Sequence, residues 1–195
     1  MCVPSAVVTS SLNKGAADLL DIRYIAGLFD GEGCVHIPAV YRFGFVPSYS
    51  IRAVFCLTHE AVIHAIAEQY DVAYCRLNKK RNNPNWADAY QVQICGNKAA
   101  KLFRDIQPYV IVKAKQIEVA LALQDDIVRY RVRDWRAFSG EQKAAIVDYR
   151  EGLRLQLKGL NARGASVGMV ANSVDIPCPA LEGAEGQRRA KQECH

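Results

Sequence analysis

The chain has 195 residues, half of them hydrophobic, with a net charge of +5 and seven cysteines. That size suits one domain with room for an extra terminal element, and a core that needs no metal or disulfide staples. No apolar run approaches the about 18 residues of a membrane span, the cysteines are odd in number with no CxxC spacing, and MCVPSAVVTSSLNKG lacks a basic leader with a long apolar centre. A membrane protein, a zinc site, a disulfide framework and a secreted precursor are therefore not expected, and reduced thiols in a cytosol-like or organellar compartment are.

Residues 1–15 read as an irregular leader. Ala16 to Phe29 predicts a helix, apolar over much of its circumference at Leu19, Leu20, Ile22, Ile25, Ala26, Leu28 and Phe29, which must be buried on more than one side. Gly27 and Gly31 lie four residues apart, with Ala26 adjoining. Glycine inside a helix costs about 1 kcal/mol relative to alanine, so Gly27 is either tolerated or serves close packing against another helix. The helix then runs into Asp30 and Glu32, the charge its C-terminal dipole disfavours. Either it ends in a solvated Asp-Gly turn, or two acids are held there for chemistry.

After Gly33 the apolar period becomes two. Cys34 to Arg42 pairs with SIRAVFCLTH as a hairpin, with Ile51, Ala53, Phe55 and Leu57 inward and Ser50, Arg52, Cys56 and Thr58 outward. A helix from Glu60 to Gln69 follows. A second hairpin joins Ala73–Asn78 to Ala89–Cys95, the latter with Tyr90, Val92 and Ile94 inward and Gln91, Gln93 and Cys95 outward. Asn97 is placed to cap a helix to Ile106, Pro108 breaks it, and Lys113 to Arg129 forms another. Ser139 with Gln142 makes a capping box opening a helix to Leu160. From about residue 163 to 195 no period remains, and a tail with little structure is expected. The fold class is α+β: a four-stranded antiparallel sheet of two hairpins with helices on one face, in the order αββαββα, plus a C-terminal helix. The core spans residues 16–133, with a helical extension over 134–162.

The outward strand residues share a chemistry. His36, Arg42, Ser50, Arg52, Tyr74, Arg76, Asn78, Gln91 and Gln93 are side chains that hydrogen-bond base edges and phosphates. No acid lies between Cys34 and His59, and Asp88 is the only one between Val72 and Arg104, a stretch that also holds Lys79 and Lys80 in its turn. A surface cleared of carboxylates suits double-stranded DNA; a plain solvated basic surface is the alternative. Asp30 and Glu32 emerge at the edge of that sheet, beside any bound backbone. Acids bind phosphates through a divalent cation, and carboxylate oxygens suit magnesium. Two chains meeting through Ala26 and Gly27 would bring two such sites together, one for each DNA strand.

IAGLFDGEG, from Ile25 to Gly33, resembles the LAGLIDADG motif of the homing endonucleases. Ala26, Gly27, Leu28, Asp30 and Gly33 are identical to it, and Ile25, Phe29 and Glu32 are conservative. The similarity runs from Ala17 to Ala162, with IQPYVIVKAKQ (Ile106 to Gln116) as a second landmark. The resemblance implies that the motif helices form a two-fold interface that includes Ala26, Gly27 and Asp30. It also implies that Glu32, with the Gly31 carbonyl beside it, binds magnesium or manganese, and that Asp30 is the more structural acid. Lys113 matches a basic residue near the scissile phosphate. His59 matches a residue that positions water, usually an amide in the family. A further basic residue has no counterpart in EAVIHAI. One motif copy implies a homodimer. The reading is a site-specific endonuclease encoded within an intron or intein, cutting both strands of a long, roughly palindromic site. The alternatives on the same fold are a maturase that binds its own intron RNA and a non-catalytic DNA-binding regulator.

Overall fold

Asp21 opens the first helix, its carboxylate accepting the Arg23 N–H at 2.7 Å as an N-cap does. In the computed structural model, which describes residues 19–77 and 87–162, helix α1 runs Ile22–Glu32. The expected helix over Ala16–Phe29 is thus shifted. Leu19 and Leu20 precede it, Asp30 and Glu32 belong to its last turn, and residues 16–18 lie outside the described residues, as do the leader and the 163–195 tail. Ile25, Ala26 and Phe29 are fully buried. The Phe29 ring meets Phe55 edge-on at 5.2 Å and Phe103 at 5.8 Å between centroids.

At Gly33 the chain turns from helix into strand with no room for a side chain. A Cβ there would lie 2.2 Å from Phe29 Cδ2 and 2.6 Å from the Phe29 carbonyl oxygen. Its φ of −76° is open to any residue, so the requirement is one of space. Gly27 and Gly31 differ, since a Cβ on either meets nothing within 4 Å.

The strands are β1 (Gly33–His36), β2 (Ala39–Val40), β3 (Ser48–Tyr49), β4 (Arg52–Leu57), β5 (Tyr74–Leu77) and β6 (Ala89–Cys95). Four form an antiparallel sheet in the order β1-β4-β6-β5, and β2 pairs with β3 in a separate ribbon. The ribbon extends the β1–β4 hairpin in the same register, Val35 facing Ala53 and Ala39 facing Tyr49. The ladder is interrupted at Ile37–Pro38, where proline has no N–H to give, although Pro38 still accepts the Ser50 N–H at 3.3 Å.

Helices α2 (Glu60–Gln69), α3 (Gly96–Ile106) and α4 (Ala114–Arg129) follow, then a 3-10 helix (Val132–Ala137) and α5 (Gly140–Leu160). No described helix is long and apolar enough to cross a membrane. Ile51, Ala53, Phe55, Val92 and Ile94 on the inner face of the sheet join Ile63, Phe103, Ile117 and Leu123 of the helices in one core. Asn97 does not cap α3. Cys95 holds the N-cap position, and the Asn97 side chain accepts the Gln124 amide at 2.9 Å, tying α3 to α4.

The capping box of α5 is formed, with Ser139 N–H donating to Gln142 Oε1 at 2.9 Å and Gln142 N–H to Ser139 Oγ at 3.2 Å. This helix packs on α4 through Tyr149, Leu153 and Leu157 and a buried ion pair, Arg150 Nε to Asp126 Oδ2 at 2.6 Å. Burial pushes the Asp126 carboxyl up, against the pull of Arg150. Arg150 also donates to the Tyr130 carbonyl at 3.0 Å. Such pairs leave a costly buried charge when one partner is removed.

The next residue, Glu151, accepts from Arg154 at 2.5 and 2.9 Å and from the Tyr41 and Tyr49 hydroxyls at 3.2 and 3.1 Å. The ribbon is thereby fastened to α5.

Two outcomes follow from these contacts. Gly33→Ala is expected to lower stability by about 1–3 kcal/mol through overpacking against Phe29, whereas Gly27→Ala is neutral or stabilising for the protomer. Equal urea midpoints for Gly33→Ala and the wild type would remove the steric constraint. The Arg154 and tyrosine hydrogen bonds hold the Glu151 carboxyl down to about 2. Its contribution is therefore present above the ordinary carboxylate range, near 4.5, and lost as pH falls toward 2. Glu151→Gln is expected to be less stable than wild type at pH 7, with the gap closing below pH 4.5; a gap constant over that range would refute the coupling.

Candidate metal corner and nucleic-acid interface

The end of α1, the start of β1 and the end of β4 meet at one corner of the sheet. Gly33 lies opposite Phe55, so Glu32 and His59 flank the same end of the β1–β4 pair. The loop before α4 is drawn in by hydrogen bonds. The Asp30 carboxylate accepts the Ile111 N–H at 2.7 Å and the Lys113 N–H at 3.0 Å. In return the Lys113 ammonium donates to the Phe29 carbonyl at 3.0 Å and to that of Asp30. The Phe29 carbonyl also accepts the Gly33 N–H; the carbonyls after it have no partner inside the helix, and a cation there offsets its dipole. Lys113 therefore makes a helix end carrying two acids tenable.

The two acids are not equivalent. Asp30 is half-buried and bonded within its own chain, whereas Glu32 is exposed and has no hydrogen bond or ion pair among the described residues. Among those residues no group of three or more His, Cys, Asp and Glu side chains could hold a metal ion. The corner thus offers one free carboxylate and, beside it, the Gly31 carbonyl at the helix end. That sparse set fits magnesium, which takes one or two carboxylates and completes its shell with water and phosphate oxygens. His59 is exposed at the N-cap of α2, its side chain making no capping bond. Cys34 is close enough for the Lys113 charge to act on its thiol, which burial pushes up.

The sheet face opposite the helices is built from alternate residues. Cross-strand pairing aligns His36, Arg52 and Cys95 in one row, Cys34, Val54 and Gln93 in the next, and Cys56, Gln91 and Cys75 in a third. Arg52 Nη1 donates to Gln93 Oε1 and Gln93 Nε2 to Gln91 Oε1, both at 3.1 Å. This chain leaves the outer Gln91 amide hydrogens for an external partner. None of these positions carries a carboxylate. Ser50 continues the face beyond Arg52, and Arg42 is exposed near the hairpin tip.

Two expected residues are on the other face. Tyr74 lies opposite Val92 and Arg76 opposite Tyr90, so both point to the helix side, unlike Gln91 and Gln93. The Tyr74 hydroxyl donates to Glu60 of α2 at 3.1 Å, its ring meets His64 edge-on at 5.7 Å, and Arg76 is ion-paired with Asp88. Their polar chemistry suggested an outward face, but β5 is an edge strand, where the inner face is wet enough for Tyr and Arg and Glu60 supplies a partner. Ala26 is also corrected. It is fully buried in the core of its own protomer, so it is not available to a second backbone, whereas Gly27 is exposed. Asn78, Lys79 and Lys80 lie outside the described residues. Alternation alone places Cys56 and Cys95 outward; pairing register adds Cys34 and Cys75, so that all four described cysteines share the outer face.

The sequence matches no protein-family model and no curated protein. Its fold is nonetheless that of the LAGLIDADG homing endonucleases. The homing endonuclease I-CvuI, in complex with its target in the presence of calcium, superposes with a TM-score of 0.53 at 12% identity, over 75% of this chain and 85% of that one. The archaeal intron-encoded homing endonuclease I-Vdi141I, complexed with DNA, gives 0.54 at 17% identity, over 73% and 85%. The LAGLIDADG homing endonuclease I-GzeII, in complex with a DNA target, gives 0.52 at 11% identity, over 69% of this chain but 44% of that one.

Lys113→Met is expected to cost about 1–2 kcal/mol by stripping the end of α1 of its cation and hydrogen bonds. Denaturant unfolding measures it, and a midpoint unchanged from wild type would show that α1 does not need Lys113.

Proposed function

We propose that the protein is a divalent-metal-dependent DNA endonuclease that works as a homodimer. The observation that carries this reading is the exposed Glu32 carboxylate, without a hydrogen bond or ion pair among the described residues, at the edge of a sheet face whose described positions carry no acid. A protein that only bound DNA would gain nothing from a free anion there, because carboxylate and phosphate repel. Glu32 and the Gly31 carbonyl would hold the metal. When bound, magnesium supplies positive charge at the scissile phosphate and a more acidic water.

The chain's own groups do the rest. Lys113 uses two of its three ammonium protons on helix carbonyls, which fixes it in place with one left for a phosphate oxygen. His59 stands at the same end of the hairpin, free to orient a water. Arg52, Gln93 and Gln91 form a preset line of base contacts, with His36 beside it and Ser50 and Arg42 further out.

One corner serves one strand, so cutting both requires a second copy. The exposed stripe of α1 (Tyr24, Gly27 and Gly31) is flanked by the exposed apolar Tyr109, Ile111 and Val112, and Arg23 sits over the Tyr109 ring at 5.5 Å. This surface is suited to a two-fold contact with itself. Coverage of 85% of I-CvuI but 44% of I-GzeII also favours one repeat unit per chain. The reading places the protein in an intracellular compartment that contains DNA, with its gene inside an intron or intein.

A duplex selected from a random pool by the wild-type protein in calcium provides the test substrate. In magnesium the wild type is expected to cut it, and Glu32→Gln to bind it at least as tightly without cutting. Cleavage by Glu32→Gln near the wild-type rate would overturn the assignment. Arg52→Ala is expected to weaken binding by about 1–3 kcal/mol and to relax preference at one base pair per half-site, while Arg76→Ala leaves base preference unchanged.

A further inference from the structure

The hairpin tip carries an apolar surface that neither the metal corner nor the row of polar contacts uses. Phe43 is fully exposed, Phe45 is 76% exposed, and Val40, Tyr41 and Val46 beside them are also exposed. Contiguous exposed apolar side chains mark interaction sites, where isolated ones do not. The tip is a defined turn. Phe45 N–H donates to the Arg42 carbonyl at 3.0 Å, and Gly44 takes the left-handed φ of +76° that glycine allows at its third position. Phe43 therefore occupies the second position of the turn, at its apex. The Tyr41 and Tyr49 hydroxyls on Glu151 brace the stem below, so the rings are carried on a supported arm.

We propose that this tip is an aromatic wedge for DNA, Phe43 entering a base step and partly unstacking it while Arg42 holds an adjoining phosphate. The inference rests on the DNA-binding reading above. Charge favours this occupant: Arg42 is at the tip, and the chain has no acid from Cys34 to His59. The ribbon also continues the sheet hairpin in one register, so a duplex lying along the outer face runs on toward the tip. Rings of this kind find their partners in base faces, and apolar wedges between base steps are a known way of bending a duplex. From Gly33 to Arg42 is nine residues of hairpin, about 30 Å at strand rise, or about nine base pairs from the metal corner at 3.4 Å each.

The test uses the wild-type-selected duplex, with 2-aminopurine placed at each position in turn and calcium present to prevent cutting. Wild type is expected to raise 2-aminopurine fluorescence about nine base pairs from the cut on each side. Phe43→Ala should abolish that rise and weaken binding about tenfold, with unchanged thermal unfolding, while Phe43→Leu retains a smaller rise. Tight binding by the wild type with no rise beyond the metal corner would overturn the wedge and leave the DNA-binding reading standing. A random pool from which the wild type retains no duplex would overturn both. The wedge also falls if Phe43→Ala keeps full DNA affinity but loses either sedimentation with phosphatidylcholine–phosphatidylserine vesicles or self-association without DNA.

Discussion

A helix that ends in two carboxylates works against its own dipole, and the exchange between α1 and Lys113 resolves the conflict. The ammonium neutralises the helix end, and Asp30 repays the contact by binding backbone N–H groups at Ile111 and Lys113. Much else depends on this exchange. It draws the loop before α4 against α1 and leaves Glu32 as the acid without a partner among the described residues. It also fixes the point at which Gly33, pressed against Phe29, turns the chain into β1. Where β1 begins decides its parity. A slip of one residue would send His36 and Cys34 inward and Val35 out, because side chains alternate with a period of two.

The C-terminal helix performs a second structural task. Its buried Arg150 locks it to α4, and Glu151, the next residue, reaches the other way to the ribbon tyrosines. Helix α5 therefore spans two regions far apart in sequence, and the position of the long hairpin depends on it. Asn161 strengthens the link, its amide donating to the Val35 carbonyl at 2.9 Å. The outer reach of the hairpin is thus under the control of a segment that lies outside the corner formed by Glu32, Lys113 and His59.

Wherever one signal dominated, the amino-acid sequence was readily legible. Strand β6 and helix α2 have the expected bounds, because Val92 and Ile94 alternate cleanly with glutamines and because an apolar face runs unbroken from Val62 to Ala67. The capping box at Ser139 and Gln142 was visible in the letters alone. The failures share a cause. Tyr74, Arg76 and Ala26 were each assigned from residue type, whereas their orientation is decided by partners distant in sequence: Val92, Tyr90 and the protomer core. The end of α1 is misplaced for the same reason, since the cation that offsets Asp30 and Glu32 in its last turn is Lys113, more than eighty residues away. The clustering of thiols could not be read because no local pattern records which strands are neighbours.

Alternation in the central sheet divides its residues into two sets with separate duties. Ala53, Phe55, Val92 and Ile94 hold the protein together, whereas Arg52, Val54, Cys56, Gln91, Gln93 and Cys95 hold little of it. Substitutions in the second set should therefore cost folding less than substitutions in the first. A lineage with this architecture can change the chemistry of its outer face at little cost to folding, whereas its interior cannot change so freely. Sequence comparison across such a lineage would lose its outer residues first, and shape would outlast every other trace of common descent.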